Sequence, residues 1–102
     1  MKVCKFGGSS VADAAQIKKV KEINESDRQR VYVVPSAPGK RFDGDTKVTD
    51  MLYAYHAAVS RGESGGEIFK EIRQRFIEIR DGLGVSTDIE SHLNKIEADV
   101  QA

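Results

Sequence analysis

Polar and apolar residues alternate through Lys2-Val3-Cys4-Lys5-Phe6, and the alternation stops at Gly7-Gly8-Ser9-Ser10. That is the pattern of a short strand running into a glycine turn. Ser10 followed by Asp13 is a helix-start signal, and helix-compatible sequence continues to about Glu25. Its apolar positions Ala14, Ile17, Val20 and Ile23 recur every third residue, so the stripe drifts around the helix. After a polar connection, Val31-Tyr32-Val33-Val34 forms a near-continuous β-branched and aromatic run, as expected of a strand buried on both faces. Pro35-Ser36-Ala37-Pro38-Gly39 ends that strand, because the prolines remove backbone donors. Residues 39–46 are polar and glycine-containing and are expected to form a mobile loop.

Helical spacing then takes over. Val48, Met51, Leu52, Tyr55 and Val59 make one stripe, with Tyr55 expected in the core and Gly62 as the stop. Ile68, Ile72, Phe76, Ile79 and Leu83 make a second, ending near Gly82 or Gly84. Ile89, Leu93, Ile96 and Val100 make a third, introduced by Thr87 and Glu90 as a capping box. Strand, glycine turn, helix and strand form a βαβ unit, so the fold class is α/β: a short parallel βαβ unit followed by helices. Two strands are a small sheet, and the last stripe runs to Ala102 without a stop signal. The expectation is therefore the front part of something longer.

Composition narrows the function classes. Sixteen basic and sixteen acidic residues cancel, leaving no net field for nucleic acid or an anionic membrane. Trp is absent and aromatics make up 7%, which disfavours a base-stacking platform. No apolar run approaches the ~20 residues of a membrane span, and a cytoplasmic setting is expected. Cys4 is the single cysteine, so no internal disulfide forms, and it reads as a small strand residue. His56 and His92 are joined by no motif, and no acidic cluster identifies a metal site.

The chemistry-bearing stretch is Lys5-Phe6-Gly7-Gly8-Ser9-Ser10. Glycines let the backbone approach an anion, a helix start offers free N–H groups, and a strand-end lysine adds a positive charge. These are the parts of a phosphate cradle, although the string is neither GxxxxGK[ST] nor GxGxxG. On the residues alone a plain turn is the preferred reading, with Lys5 an exposed strand-end residue. Ser36 reads equally as a turn residue between prolines, and Thr49 as capping or lining the first turn of its helix.

The string Lys5 to Ala12 resembles the opening of aspartate kinases in the amino acid kinase family. Val33-Val34-Pro35-Ser36-Ala37 resembles the end of that family's second strand, and Val48-Thr49-Asp50-Met51-Leu52 its threonine-containing helix start. Residues 62–102 are similar to the helical segment that precedes the family's next strand. The resemblance implies that residues 1–102 form the N-terminal part of an amino acid kinase domain, with the helical segment at about 66–102. It implies ATP-dependent phosphorylation of the β-carboxylate of L-aspartate, giving 4-phospho-L-aspartate, the first step toward lysine, threonine, methionine and isoleucine. Lys5 would stabilise the transferring phosphoryl group, with Phe6, Gly7, Gly8 and Ser9 around the nucleotide phosphates. Ser36 and Thr49 would contact aspartate, and Mg²⁺ would accompany ATP.

The rest of the kinase domain and the regulatory ACT domains are not within these residues, so the chain alone is expected to be inactive. Ser60-Arg61-Gly62-Glu63 superficially resembles a family Ser-x-Gly-Glu element, but lies before the helical segment and reads as a helix end. The role of Lys40, Arg41 and Lys47 in the 38–47 stretch stays open. A glutamate or acetylglutamate kinase of the same family is the nearest alternative. A non-catalytic module is another, with the stripes at 66–102 favouring self-association into a homo-oligomer.

Overall fold

The computed structural model describes residues 1–102, which divide into two compact units, Met1–Val48 and Thr49–Ala102.

In the first unit, β1 (Lys2–Phe6) and β2 (Arg30–Pro35) pair in parallel, joined by a one-turn 3-10 helix (Gly8–Val11) and α1 (Ala14–Glu25). Lys5 lies opposite Val34 and Phe6 opposite Pro35. The period of two puts Cys4 and Phe6 on one face of β1, and Phe6 is buried while Val3 on the other face is exposed. The helix start is Asp13, whose Oδ1 accepts the Gln16 N–H at 2.9 Å; Ser10 belongs to the preceding 3-10 turn. At the other end, the Arg30 guanidinium donates to Ile23 O and, at 2.7 Å, to Ser26 Oγ, tying the end of α1 to the start of β2. A Lys2–Asp27 ion pair at 2.5 Å joins the strand starts.

Two expectations fail here. β2 is not buried on both faces: Val31 is 62% exposed, Tyr32 54% and Val34 50%. The reason is that the sheet has only two strands, and within its unit α1 is the one α-helix packed against it. Nor is the loop after β2 an open one. The Val48 N–H donates to Pro38 O at 3.0 Å across its base. Inside it the Arg41 N–H and Nε both reach Asp45 Oδ2, at 2.9 and 2.8 Å, while Nη2 reaches Oδ1 at 3.1 Å.

The second unit is helical, with α2 (Val48–Ser60, entered from the first unit), α3 (Gly66–Leu83) and α4 (Ile89–Gln101). Met51 and Tyr55 of α2, Phe69 and Ile72 of α3, and Leu93 of α4 form its buried core. Val59, Ile68, Phe76, Ile89 and Val100 pack around them. The i, i+3/i+4 spacing of each stripe is what brings these side chains to one line. Most of the stripes at 66–102 are thus packed on each other and on α2, with Ile96 left exposed, and the run Val31–Val34 on β2 is exposed as well.

Tyr55 is fully buried as its position predicts, with its ring 5.0 Å from Phe69, and its hydroxyl accepts Gln101 Nε2–H at 2.8 Å. Gly65, at φ 65, precedes α3, and a Cβ there would sit 2.7 Å from the Tyr55 ring. Both the left-handed backbone and the ring demand glycine. Gly84 closes α3, its N–H reaching Arg80 O and Asp81 O, so the stop is Gly84 and not Gly82. Arg75 of α3 is buried, at 2% exposed.

The cap of α4 also differs from expectation. Asp88 and not Thr87 is the N-cap, its carboxylate accepting the Ser91 N–H at 3.2 Å and the Ser91 hydroxyl at 2.6 Å. Glu90 instead faces Arg80 at 2.5 Å, and the guanidinium holds its carboxyl below the usual range. A carboxylate at the cap position accepts the free N–H groups directly, leaving the Thr87 hydroxyl outside the helix.

Candidate functional site

The glycine turn after β1 and the proline-glycine turn after β2 lie at the carboxyl ends of two parallel strands, the end at which α/β sheets bind ligands. The Ser36 N–H donates to Phe6 O at 2.9 Å, extending the ladder one residue beyond β2. The Gly39 N–H then donates to Gly8 O at 2.8 Å. Backbone packs directly on backbone at this point. A Cβ on Gly39 would lie 2.6 Å from Gly8 C and 2.9 Å from Ser9 N, and one on Gly8 would lie 3.1 Å from Ala37 O.

Gly7 is different. Its φ of −73° suits any residue, and a Cβ there would meet nothing within 4 Å. Gly8 is therefore required by the packing of the two turns, whereas the space beside Gly7 is open. Ser10 N–H closes the 3-10 turn on Gly7 O at 3.1 Å, so the Gly8 and Ser9 N–H groups head the turn with no intrahelical acceptor. Two free donors and an open flank on a glycine are features an anion can use. Lys5 is exposed on β1, one residue before buried Phe6.

Beside this turn is an open cleft of about 320 Å³ lined by Ser9, Ser10, Ala12, Asp13, Gln16, Lys40 and Arg41. Of the residues proposed for the phosphates, Ser9 lines it; Lys5, Phe6, Gly7 and Gly8 do not. Lys40 and Arg41 are its basic wall, and their role could not be read from the sequence. The available signal was position: two cations directly after the turn that ends a parallel strand. Arg41 is already engaged by Asp45, whose carboxyl it holds far below the usual range through side-chain and backbone hydrogen bonds. Lys40 is exposed and makes no ion pair.

Ser36 is exposed just past β2 in the same unit. Thr49 opens the second unit. It is the second residue of α2, exposed within the first turn and not at the cap position. It borders a mainly apolar surface depression with Leu52, Tyr53 and His56. Cys4 is half-buried, and His56 and His92 are exposed. Gly62 follows the end of α2 as expected, and its neighbours Arg61 and Glu63 pair with each other at 3.1 Å. No group of three His, Cys, Asp or Glu side chains that could hold a metal ion is present. No helix is long and apolar enough to cross a membrane.

No protein-family model matches the chain. It is 42% identical over 100 residues to aspartokinase 3 of Bacillus subtilis, across 98% of this chain and 21% of that protein. It is 32% identical over 87 residues to the aspartokinase of Chlamydia trachomatis, across 85% of this chain and 18% of that one. The crystal structure of Clostridium acetobutylicum aspartate kinase superposes on 97% of this chain with a TM-score of 0.94 and 47% identity. Escherichia coli aspartokinase III, solved with aspartate and ADP, superposes on 95% with a TM-score of 0.72 and 29% identity. The chain spans about a fifth of the length of each of these proteins.

Proposed function

We propose that this chain, homologous to aspartate kinases along nearly its whole length, is the N-terminal part of such a kinase and carries one side of its phosphoryl-transfer site. The observation that carries the reading is the β1 turn itself. A lysine on the strand, an open-flanked glycine and two free N–H groups stand together at the carboxyl end of a parallel sheet.

In the proposed reaction a β-carboxylate oxygen of L-aspartate bonds to the γ-phosphorus of ATP. The bond from that phosphorus to the β,γ-bridging oxygen breaks, ADP leaves with the electron pair, and 4-phospho-L-aspartate is formed. Little covalent help is needed from the protein; catalysis is positioning and charge neutralisation. Lys5 would neutralise charge on the transferring group, and the Gly7, Gly8 and Ser9 N–H groups would hold phosphate oxygens. Ser36 and Thr49 would orient aspartate. Mg²⁺, carried by the nucleotide phosphates, would add further neutralisation.

A fifth of the relatives' length does not include a whole kinase, so the isolated chain is expected to lack turnover. The test has two parts. The 102-residue chain, assayed for hydroxylamine-trapped aspartyl phosphate with ATP, Mg²⁺ and aspartate, should give none. A chimera in which this chain replaces the matching segment of Bacillus subtilis aspartokinase 3 should be active, and Lys5→Ala in it should lose most of kcat. A folded chimera that ignores Lys5→Ala would reject the assigned role.

A second reading, self-association, is favoured by the exposed Val31–Val34 run, a large apolar surface for so small a unit. Light scattering of the isolated chain would detect it, and a monomer at high concentration would reject it.

A further inference from the structure

The cleft beside the glycine turn has a basic wall that the proposed roles of Lys5 and residues 6–9 do not use. We propose that Lys40 is a further phosphate-binding residue of this site, reaching the polyphosphate of the nucleotide from the loop after β2; this rests on the reading that the β1 turn takes the nucleotide phosphates.

Three observations support it. The first is placement. Lys40 follows Gly39, whose backbone is packed against Gly8 and whose N–H is bonded to Gly8 O at 2.8 Å. The start of the Lys40 side chain is thereby fixed next to the turn that presents the Gly8 and Ser9 N–H groups, and the two residues Ser9 and Lys40 line the same cleft.

The second is preorganisation. Pro38 O and Val48 N–H close the base of the loop, and Asp45 holds both the backbone and the guanidinium of Arg41. A loop already ordered loses little conformational entropy when an anion binds.

The third is charge. Arg41 faces Asp45, while Lys40 forms no ion pair and keeps its ammonium for a ligand. The one carboxylate lining the cleft, Asp13, caps α1 and accepts the Gln16 N–H, so the helix start offsets its charge. Ser9 and Ser10 line the same cleft as Lys40, and their hydroxyls are further possible donors. A flexible lysine is suited to follow charge as it shifts between phosphate oxygens.

The experiment is a titration of the 102-residue chain with inorganic tripolyphosphate, and separately with ATP, followed by ³¹P NMR at several ionic strengths. Lys40→Ala, Lys40→Arg and Lys5→Ala are compared with the unaltered chain, with circular dichroism confirming that each is folded. Lys40→Ala should weaken tripolyphosphate binding about tenfold, as for loss of one charge-assisted hydrogen bond at a partly exposed site. It should also flatten the dependence on ionic strength, which a merely structural lysine would not alter, and Lys40→Arg should restore both. Unchanged binding in Lys40→Ala with weakened binding in Lys5→Ala would overturn the role of Lys40 and leave the β1 turn reading intact. The reverse pattern would support Lys40 and reject Lys5. Absence of any binding at millimolar tripolyphosphate would overturn both.

Discussion

Replacing Gly39 by alanine tests whether the two strand-end turns are held by backbone contact. The added Cβ would lie 2.6 Å from Gly8 C, 2.9 Å from Ser9 N and 3.0 Å from Gly8 O. Optimal heavy-atom separation is about 3.5–4.0 Å, so these contacts are strongly repulsive, and the obstacle is main chain with no rotamer to yield. Gly39 is not in the left-handed region, so the cost is steric and not one of backbone strain. Overpacking of this kind costs about 1–3 kcal/mol. If the turns part, the Gly39–Gly8 hydrogen bond goes too, at about 1 kcal/mol. The stiffer unfolded chain offsets about 0.4–1 kcal/mol. The net loss is about 1–3.5 kcal/mol, a large share of the stability of a small domain.

Because the chain has two units, the loss should be local. Amide hydrogen exchange read by mass spectrometry should quicken about fivefold to three-hundredfold in residues 2–11 and 30–39, at about 1.4 kcal/mol per tenfold. Residues 66–101 should exchange as before. Gly7→Ala is the control, since its Cβ meets nothing within 4 Å and its φ suits alanine. Exchange in Gly39→Ala equal to that of the unaltered chain, or faster exchange in Gly7→Ala than in Gly39→Ala, would refute the reasoning.

Gly65→Ala should lower the melting temperature of the helical unit. A left-handed alanine costs about 1–2 kcal/mol, and a Cβ 2.7 Å from the buried Tyr55 ring adds overpacking to that. Tyr55→Phe should cost about 0.5–1.5 kcal/mol in urea unfolding, the net worth of one hydrogen bond, because Gln101 Nε2 loses one of its two acceptors and keeps Ser64 O at 2.8 Å while the ring packing stays. Acid should weaken both units. Asp45 and Glu90 are more acidic folded than unfolded, so their contribution is complete above the ordinary carboxylate range and is lost as pH falls through their lowered values. Thermal melts between pH 5 and pH 2 should therefore decline, and Glu90→Gln should flatten the decline in the helical unit; an unaltered slope would reject the Arg80–Glu90 pair as its cause.

Local pattern carried the elements. The alternation in Lys2–Phe6, the stripes through Tyr55, Ile72 and Leu93, and the stops at Gly62 and Gly84 are all properties of neighbours in sequence. Failures occurred where a residue's fate depends on something distant. Val31–Val34 has the composition of a doubly covered strand, but cover is a property of other layers, and a two-stranded sheet exposes it. Thr87 and Glu90 satisfy a capping pattern, yet Glu90 is drawn to Arg80 on the preceding helix and Asp88 takes the cap. The loop at 39–46 has the composition of a mobile segment, and composition gives no sign of the Arg41–Asp45 bonds or of the Pro38–Val48 bond across its base.

The same division runs through the candidate site. The strand and glycine turn at Lys5–Ser9 are legible because a strand, two glycines and a helix start are contiguous in sequence. Which glycine serves which purpose was not legible, because Gly7 and Gly8 differ only in what the other turn brings against them. Gly39, thirty-one positions on, is what crowds Gly8 with backbone at 3.1–3.2 Å while the flank of Gly7 stays open. The two glycines should therefore respond oppositely to alanine. Gly8→Ala should damage the fold, and Gly7→Ala should leave it intact while crowding whatever anion the turn receives. A motif read as one unit thus separates into a glycine held by packing and a glycine with an open flank once the contact across the strand ends is known.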